Sequence, residues 1–252
     1  GVKHTGGLAP INLSIGEPKH PTPELIKRAL IEHLDGLAAY PATQGLPVLR
    51  KAIADWILRR FDALVDTETQ VLPILGSREA LFSFAQVVLD GCAPESLVAF
   101  PNPFYQIYEG ATFLGNASPV FVNIDDNTGL PDFHALSPDV LSKIRLMYVC
   151  SPNNPTGAVY TLDDWQKLFD LADEYNIVIA SDECYSEIYL DGTEAPIGGL
   201  EAASRLGRSD YNNLVVFSSL SKRSNAPGLR SGYVAGDADL IKAFLRYRTY
   251  HG

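Results

Sequence analysis

Apolar positions along this chain fall into two kinds of pattern. In TPELIKRALIEHL, residues 22–34, a helical period puts Leu25, Ala29 and Leu30 on one face, with Thr22 placed to cap and Pro23 suited to the first turn. The period returns in PVLRKAIADWILRRF (47–61), SREALFSFAQVVLD (77–90) and TLDDWQKLFDLADEY (161–175), and in the last Thr161 and Asp164 have the spacing of a capping pair. Between the helices stand short continuous apolar runs: SLVAF, PVFVNI, RLMYVC, NIVIAS, NLVVF and GYVAG. Such runs, bounded by turn residues, predict strands buried on both faces. Helices alternating with buried strands predict an α/β fold, a mostly parallel sheet with helices on both sides.

In that architecture ligands sit at the carboxyl ends of strands, so the turns matter. SPNNPTG follows RLMYVC, DECY follows NIVIAS, SSLSK follows NLVVF, and ILG precedes the helix SREALFSF. Any one of these is an ordinary turn composition, because Pro, Gly, Asn and Ser dominate turns; four chemically loaded turns together point to a ligand. Lys222, in SSLSK, is either a snorkelling surface lysine or an amine nucleophile in a partly dry pocket. Asp182 is either an N-cap or ion-pair residue, or the partner of a protonated ring nitrogen, since an unpaired buried carboxylate is costly. Tyr185 offers a phenol. Asn154 offers an amide, or serves only to start the Pro-Thr-Gly turn. Gly76 and Ser77 open a helix whose free N–H groups suit an anion, and Ser219 and Arg230 add a hydroxyl and a fixed guanidinium. Lysine amine, ring-nitrogen carboxylate, phenol with amide, and phosphate cup together describe pyridoxal 5′-phosphate.

Composition narrows the rest. With 252 residues, 46% of them hydrophobic, the chain can bury a sizeable core. A net charge of −10 argues against non-specific binding to nucleic acid or to anionic membranes, and no apolar run has the length of a membrane span or the form of a signal peptide. Cys92, Cys150 and Cys184 are odd in number with no close-spaced pair, so the expected compartment is a reducing cytoplasm without a disulfide framework. The five histidines lack ligand spacing, so no metal is expected.

The same residues carry a resemblance. The chain resembles the fold-type I pyridoxal phosphate enzymes, specifically the class I/II aminotransferases. The match runs from NLSIGEPKHPTPELIKRAL through AAYPATQGLPVLRKAI, GSREALFSF, FPNPFYQIYEG, SPNNPTGAVY and SDECYSEIY to SSLSKRSNAPGLRSGYVAGD, nearly the whole chain. It implies a seven-stranded, mostly parallel sheet between helices. Residues 34–252 would form the large cofactor-binding domain, and residues 1–33 an N-terminal arm with part of an incomplete small domain. The resemblance implies that Lys222 carries the cofactor on its amine and acts as general acid and base, and that Asp182 keeps the ring nitrogen protonated. Tyr185 and Asn154 would hydrogen-bond the ring oxygen, and Tyr105 would stack on the ring. Ser77, the backbone N–H of Arg78, Ser219 and Arg230 would hold the phosphate. Tyr40 would reach the phosphate of another subunit, which implies a homodimer with shared active sites. Gly16 and Asn154 would line the pocket for small amino-acid and keto-acid substrates in a ping-pong amino transfer.

Members of that family are longer, and the arginine that grips the substrate α-carboxylate lies in a region without counterpart here. The chain begins at Gly1 rather than Met and stops in RYRTYHG, so truncation is expected. Arg246 and Arg248 read as helix residues near a C-terminus that favours cations. After Lys222 the sequence is similar to the branch that moves an amino group between glutamate and a succinylated diaminopimelate precursor in lysine biosynthesis. Such a substrate would need cationic groups along its pocket. Alternatives on the same residues are an acetylornithine or broad-range aminotransferase, a β-lyase or cyclase on the same fold, and a non-catalytic cofactor-binding module.

Overall fold

The computed structural model describes residues 11–12, 16 and 19–250. Helix α1 (Glu24–Glu32) starts where the pattern places it, but Thr22 does not cap it. The Thr22 hydroxyl donates instead to the carbonyl of Asn225 at 2.6 Å, fastening the N-terminal segment to the loop after Lys222. The apolar face of α1 is not buried: Leu25, Leu30 and Ile31 are all exposed. A short 3₁₀ turn, Leu34–Ala38, then leads by way of Tyr40 to α2 (Pro47–Phe61).

Seven strands form one sheet among the described residues. They are β1 (Val71–Ile74), β2 (Leu97–Asn102), β3 (Ser118–Asn123), β4 (Ile144–Cys150), β5 (Val178–Asp182), β6 (Leu214–Ser219) and β7 (Gly232–Gly236), in the spatial order β1-β7-β6-β5-β4-β2-β3. Strands β3, β2, β4, β5 and β6 run parallel, while β7 is antiparallel to both of its neighbours. The six apolar runs are six of these strands. The seventh, β1, is short and interrupted by Pro73, which a sheet tolerates here because β1 is an edge strand paired only with β7.

Helix α3 (Ser77–Leu89) joins β1 to β2, α4 (Ile107–Leu114) joins β2 to β3, and α5 (Pro138–Leu141) precedes β4. Then α6 (Leu162–Tyr175) joins β4 to β5, α7 (Gly199–Arg205) joins β5 to β6, α8 (Leu220–Arg223) follows β6, and α9 (Ala238–Arg248) follows β7. Thr161 and Asp164 close a capping box at the start of α6. Because strand side chains alternate in direction, the apolar runs of the inner strands feed two cores, whereas the run of edge strand β3, expected to be buried on both faces, is mostly exposed and feeds one. Leu214 and Val216 of β6 pack with Ile57, Trp165 and Leu200 from α2, α6 and α7. Val215 and Phe217 pack with Phe84, Tyr108 and Phe244 from α3, α4 and α9. Full burial of each such side chain contributes about 1.5–3 kcal/mol.

The parallel strands end together, so Asn102, Cys150, Asp182 and Ser219 border one edge of the sheet. Strand β7 starts there, since Gly232 pairs with Ser219, and Ile74 of β1 pairs with Gly232, which delivers the start of α3 to the same edge. From β2 the chain steps outward to β3, then returns to β4 and continues the other way through β5 and β6. Sheets of this kind leave a ligand crevice where the winding reverses. No described helix is long and apolar enough to cross a membrane.

Candidate active site

Asp182 ends β5 and is 7% exposed. Two donors hold its carboxylate: the Tyr108 hydroxyl donates to Oδ2 at 3.0 Å, and the Cys184 backbone N–H donates to Oδ1 at 3.3 Å. Burial pushes the Asp182 pKa up, while hydrogen bonds from Cys184 and Tyr108 and the charge of Lys222 pull it back. Among the described residues no cation pairs with Asp182 at salt-bridge distance. It is a buried acid short of a positive partner.

Lys222 lies in α8, the single helical turn that begins directly after Ser219. Its ammonium donates to the carbonyl of Gly16 and sits 5.9 Å from the ring centre of Tyr185. Gly16 lies against that phenol, where an added β-carbon would meet the Tyr185 hydroxyl at 3.0 Å. Burial, and then the charge of Asp182, push the Tyr185 phenol up to about 12, so it is a neutral donor at ordinary pH. Asn154 is exposed and shares with Gly16 and Tyr185 the wall of a cavity of about 670 Å³. Its neighbour, not Asn154, ties the turn: Asn153 Nδ2 donates to Thr156 Oγ1 at 2.9 Å.

Across the same edge, α3 starts at Gly76, which has φ +98° and offers no side-chain cap, so the first-turn N–H groups are open to an anion. Ser77 and Ser219 are linked through Cys184, whose thiol donates to Ser77 Oγ at 2.9 Å and accepts from Ser219 Oγ at 3.7 Å. Arg230 presses against Gly76, and its Nη2 donates to Glu79 Oε2 at 2.9 Å. Arg78 is exposed, its guanidinium 5.9 Å from the ring centre of Tyr105. Tyr105 in turn meets Tyr108 edge-on at 5.9 Å. Tyr40 is fully exposed and takes no part in this cluster's hydrogen bonds.

The structure thus brings Lys222, Gly16 and Tyr185 together, and gathers Ser77, Ser219 and Arg230 about the start of α3. Sequence reasoning missed Tyr108, Cys184 and Glu79. Tyr108 lies in α4 while Tyr105 precedes it, and Cys184 lies in the turn after β5, so no helical or strand period marked either. Pyridoxal 5′-phosphate fits this donor set. An unpaired buried carboxylate suits a pyridinium nitrogen, an uncapped helix start with two hydroxyls and a guanidinium suits a phosphate, and the Lys222 amine follows Ser219 on the same sheet edge.

Fold and site define the class, a mostly parallel α/β sheet whose edge carries a residue set fitted to pyridoxal phosphate. The chain belongs to the family Aminotransferase class I and II, whose model matches residues 9–249. It is 37% identical over 252 residues to an LL-diaminopimelate aminotransferase of Dehalococcoides mccartyi, an alignment covering 98% of this chain and 62% of the relative. The LL-diaminopimelate aminotransferase of Aquifex aeolicus is 37% identical over 96% of this chain and 61% of its own length. Among solved structures, an aminotransferase from Neisseria meningitidis matches with a TM-score of 0.93 at 55% identity, covering 98% of this chain and 62% of that one. A probable N-succinyldiaminopimelate aminotransferase from Thermus thermophilus matches with a TM-score of 0.84 at 26% identity, covering 96% and 63%. The chain therefore spans somewhat less than two thirds of the length of these relatives.

Proposed function

We propose that this chain is the cofactor-binding part of an aminotransferase that acts on a diaminopimelate-type amino acid in lysine biosynthesis. The observation that carries the reading is the meeting of Lys222, Asp182 and the uncapped start of α3 on one sheet edge, in a chain of this family. Asp182 pairs with the cofactor's ring nitrogen, Tyr185 and Asn154 bind its ring oxygen, and Tyr105 stacks on its face. Ser77, the Arg78 N–H, Ser219 and Arg230 hold its phosphate. The bound cofactor supplies an electron sink for charge developing at the substrate Cα. Lys222 Nζ takes the proton from that carbon and later returns one, a role worth about 10²–10⁴ in rate. Residues 34–252 form the large domain and residues 1–33 the arm with part of the small domain; residues 1–10, 13–15, 17–18 and 251–252 lie outside the described structure. Tyr40 reaches the phosphate of a second copy, so the active form is a homodimer.

The names of the relatives support diaminopimelate chemistry; glutamate and 2-oxoglutarate are the exchanging pair in this reading. The cavity beside Tyr185 favours the substrate with a free distal amine over the succinylated one. Its described lining includes Glu194 with Ile188, Tyr189 and Ile197, and no Lys or Arg. The distal α-carboxylate is common to both; succinylation turns the distal ammonium into a neutral amide and adds a second negative charge, so Glu194 suits the free ammonium better. The test is kcat/KM of the full-length enzyme on LL-diaminopimelate, its N-succinyl derivative, acetylornithine, aspartate and phenylalanine, each with 2-oxoglutarate. LL-diaminopimelate should rank first. A higher value for aspartate or phenylalanine would overturn the substrate reading, and turnover without need of a keto acid would overturn amino transfer itself.

A further inference from the structure

We infer that Tyr108 is a positioning residue for Asp182: its hydroxyl aims the carboxylate and holds it in its charged form for the cofactor's ring nitrogen. This rests on the role proposed for Asp182 above. Tyr108 comes from α4 and is completely buried. Its ring stacks on Tyr148 at 4.5 Å and 14°, and Tyr148 is itself pinned by donating to the Leu81 carbonyl at 2.7 Å. Tyr105 packs on it edge-on. With both ring directions fixed, the hydroxyl donates to Asp182 Oδ2 at 3.0 Å, with the Cys150 thiol as its other polar neighbour. A buried phenol needs a partner, and donation to a carboxylate is about twice as strong as donation to a neutral acceptor.

The groups facing Asp182 leave this hydroxyl a defined task. They are Tyr108 and Tyr105 near α4, Tyr148 and Cys150 of β4, Glu183, Cys184 and Tyr185 of its own segment, and Lys222 of α8. Burial pushes the phenols of Tyr108 and Tyr148 and the thiols of Cys150 and Cys184 up, so these groups stay neutral at ordinary pH. Lys222 is the cation among them, and its task at the substrate engages it elsewhere. Removing the Tyr108 hydroxyl leaves the dominant influence on Asp182, burial, less opposed. The carboxylate then takes up a proton at a higher pH and loses its hold on the ring nitrogen sooner as pH falls.

The experiment measures the dissociation constant of pyridoxal 5′-phosphate by fluorescence titration of the full-length enzyme from pH 5 to 9. Wild type is compared with Tyr108→Phe, with 3-fluorotyrosine at position 108, and with Asp182→Asn. Tyr108→Phe should weaken binding about tenfold near neutrality and move the acid-side loss of affinity upward by about one pH unit. Fluorotyrosine, a stronger donor of nearly the same shape, should move that limb to lower pH. Asp182→Asn should remove the limb. A uniform weakening at every pH in Tyr108→Phe, with the limb unmoved, would show that Tyr108 only packs and would overturn the inference. If Asp182→Asn keeps the wild-type limb, the role of Asp182 falls and Tyr108's with it. If it loses the limb while neither Tyr108 variant moves it, the inference alone falls. Should Tyr108→Phe fail to fold, the direction of the fluorotyrosine shift decides.

Discussion

Arg230 packs against Gly76 so closely that a β-carbon on residue 76 would overlap the guanidinium. Both residues have positive φ, +98° for Gly76 and +50° for Arg230, and Glu79 one turn into α3 holds the guanidinium from the other side at 2.9 Å. The Arg230–Glu79 pair is half exposed, so it adds little to stability; what it fixes is the direction of a charge over the start of a helix.

Gly76→Ala should therefore act twice. Strain at a left-handed position should cost about 1–2 kcal/mol of folding stability. The displaced guanidinium should also weaken binding of pyridoxal phosphate more than binding of pyridoxal. Denaturant unfolding and paired titrations with the two ligands measure these effects. Equal losses for both would show that Arg230 does not face the phosphate.

Lys222 should be the residue that carries the cofactor. Borohydride treatment of the loaded enzyme should fix the cofactor on the peptide containing Lys222, and Lys222→Ala should retain none after gel filtration in denaturant. Label on Lys27, Lys51 or any other lysine would reject the assignment.

Asp182→Asn should lower the rate of the first half-reaction by about 10²–10³, the scale seen when one preorganised electrostatic group is removed. Stopped-flow spectra with saturating amino acid give this rate directly. A variant as fast as wild type would mean that Asp182 is only a structural acid.

Much of the sheet was legible because the inner strands bury both faces; β3, an edge strand, is mostly exposed, and its run PVFVNI does not meet that expectation. In NLVVF, Leu214 and Val216 serve one core while Val215 and Phe217 serve the other, and that demand leaves a continuous apolar run. The positions of Lys222 and Asp182 at the sheet edge were legible for the same reason, since each follows such a run. Strand β1 was not, because an edge strand accepts Pro73. Thr22 looked like a cap, yet its hydroxyl goes to Asn225, 203 residues away. No local pattern reports a partner that distant. Tyr108 and Cys184 acquire their places only when α3, α4 and the ends of β5 and β6 converge.

Glu183 predicts a pH effect on stability that is separate from the cofactor. It follows Asp182 but turns into the other core, where Oε1 accepts from Ser181 Oγ at 2.8 Å and from the Gly199 N–H at 2.7 Å. Burial pushes its pKa up to about 7. A carboxyl with a raised folded pKa stabilises fully below its unfolded value, and that contribution is lost as pH rises through the folded one. The loss should be on the order of 3 kcal/mol between pH 4.5 and 7. Glu183→Gln keeps both hydrogen bonds without the charge, and Asp182 is present in both proteins. Urea unfolding of the cofactor-free proteins at pH 5 and pH 8 should show wild type losing stability relative to the variant. Parallel behaviour would contradict the burial of an ionisable Glu183.

Tyr40 permits a test of how the site is assembled. Its side chain is fully exposed, so within one chain it has no packing role to lose. If it binds the phosphate of a second copy, each site of a dimer takes Lys222 from one subunit and Tyr40 from the other. Lys222→Ala homodimers are then inactive and Tyr40→Phe homodimers impaired. In a hybrid of the two, one site inherits both defects and the other inherits neither. Mixing, unfolding and refolding equal amounts should restore about a quarter of wild-type activity, because half the dimers are hybrids with one sound site each. If Tyr40 acted on its own chain's cofactor, every site would keep one defect or the other, and the mixture would never exceed the average of the two parents.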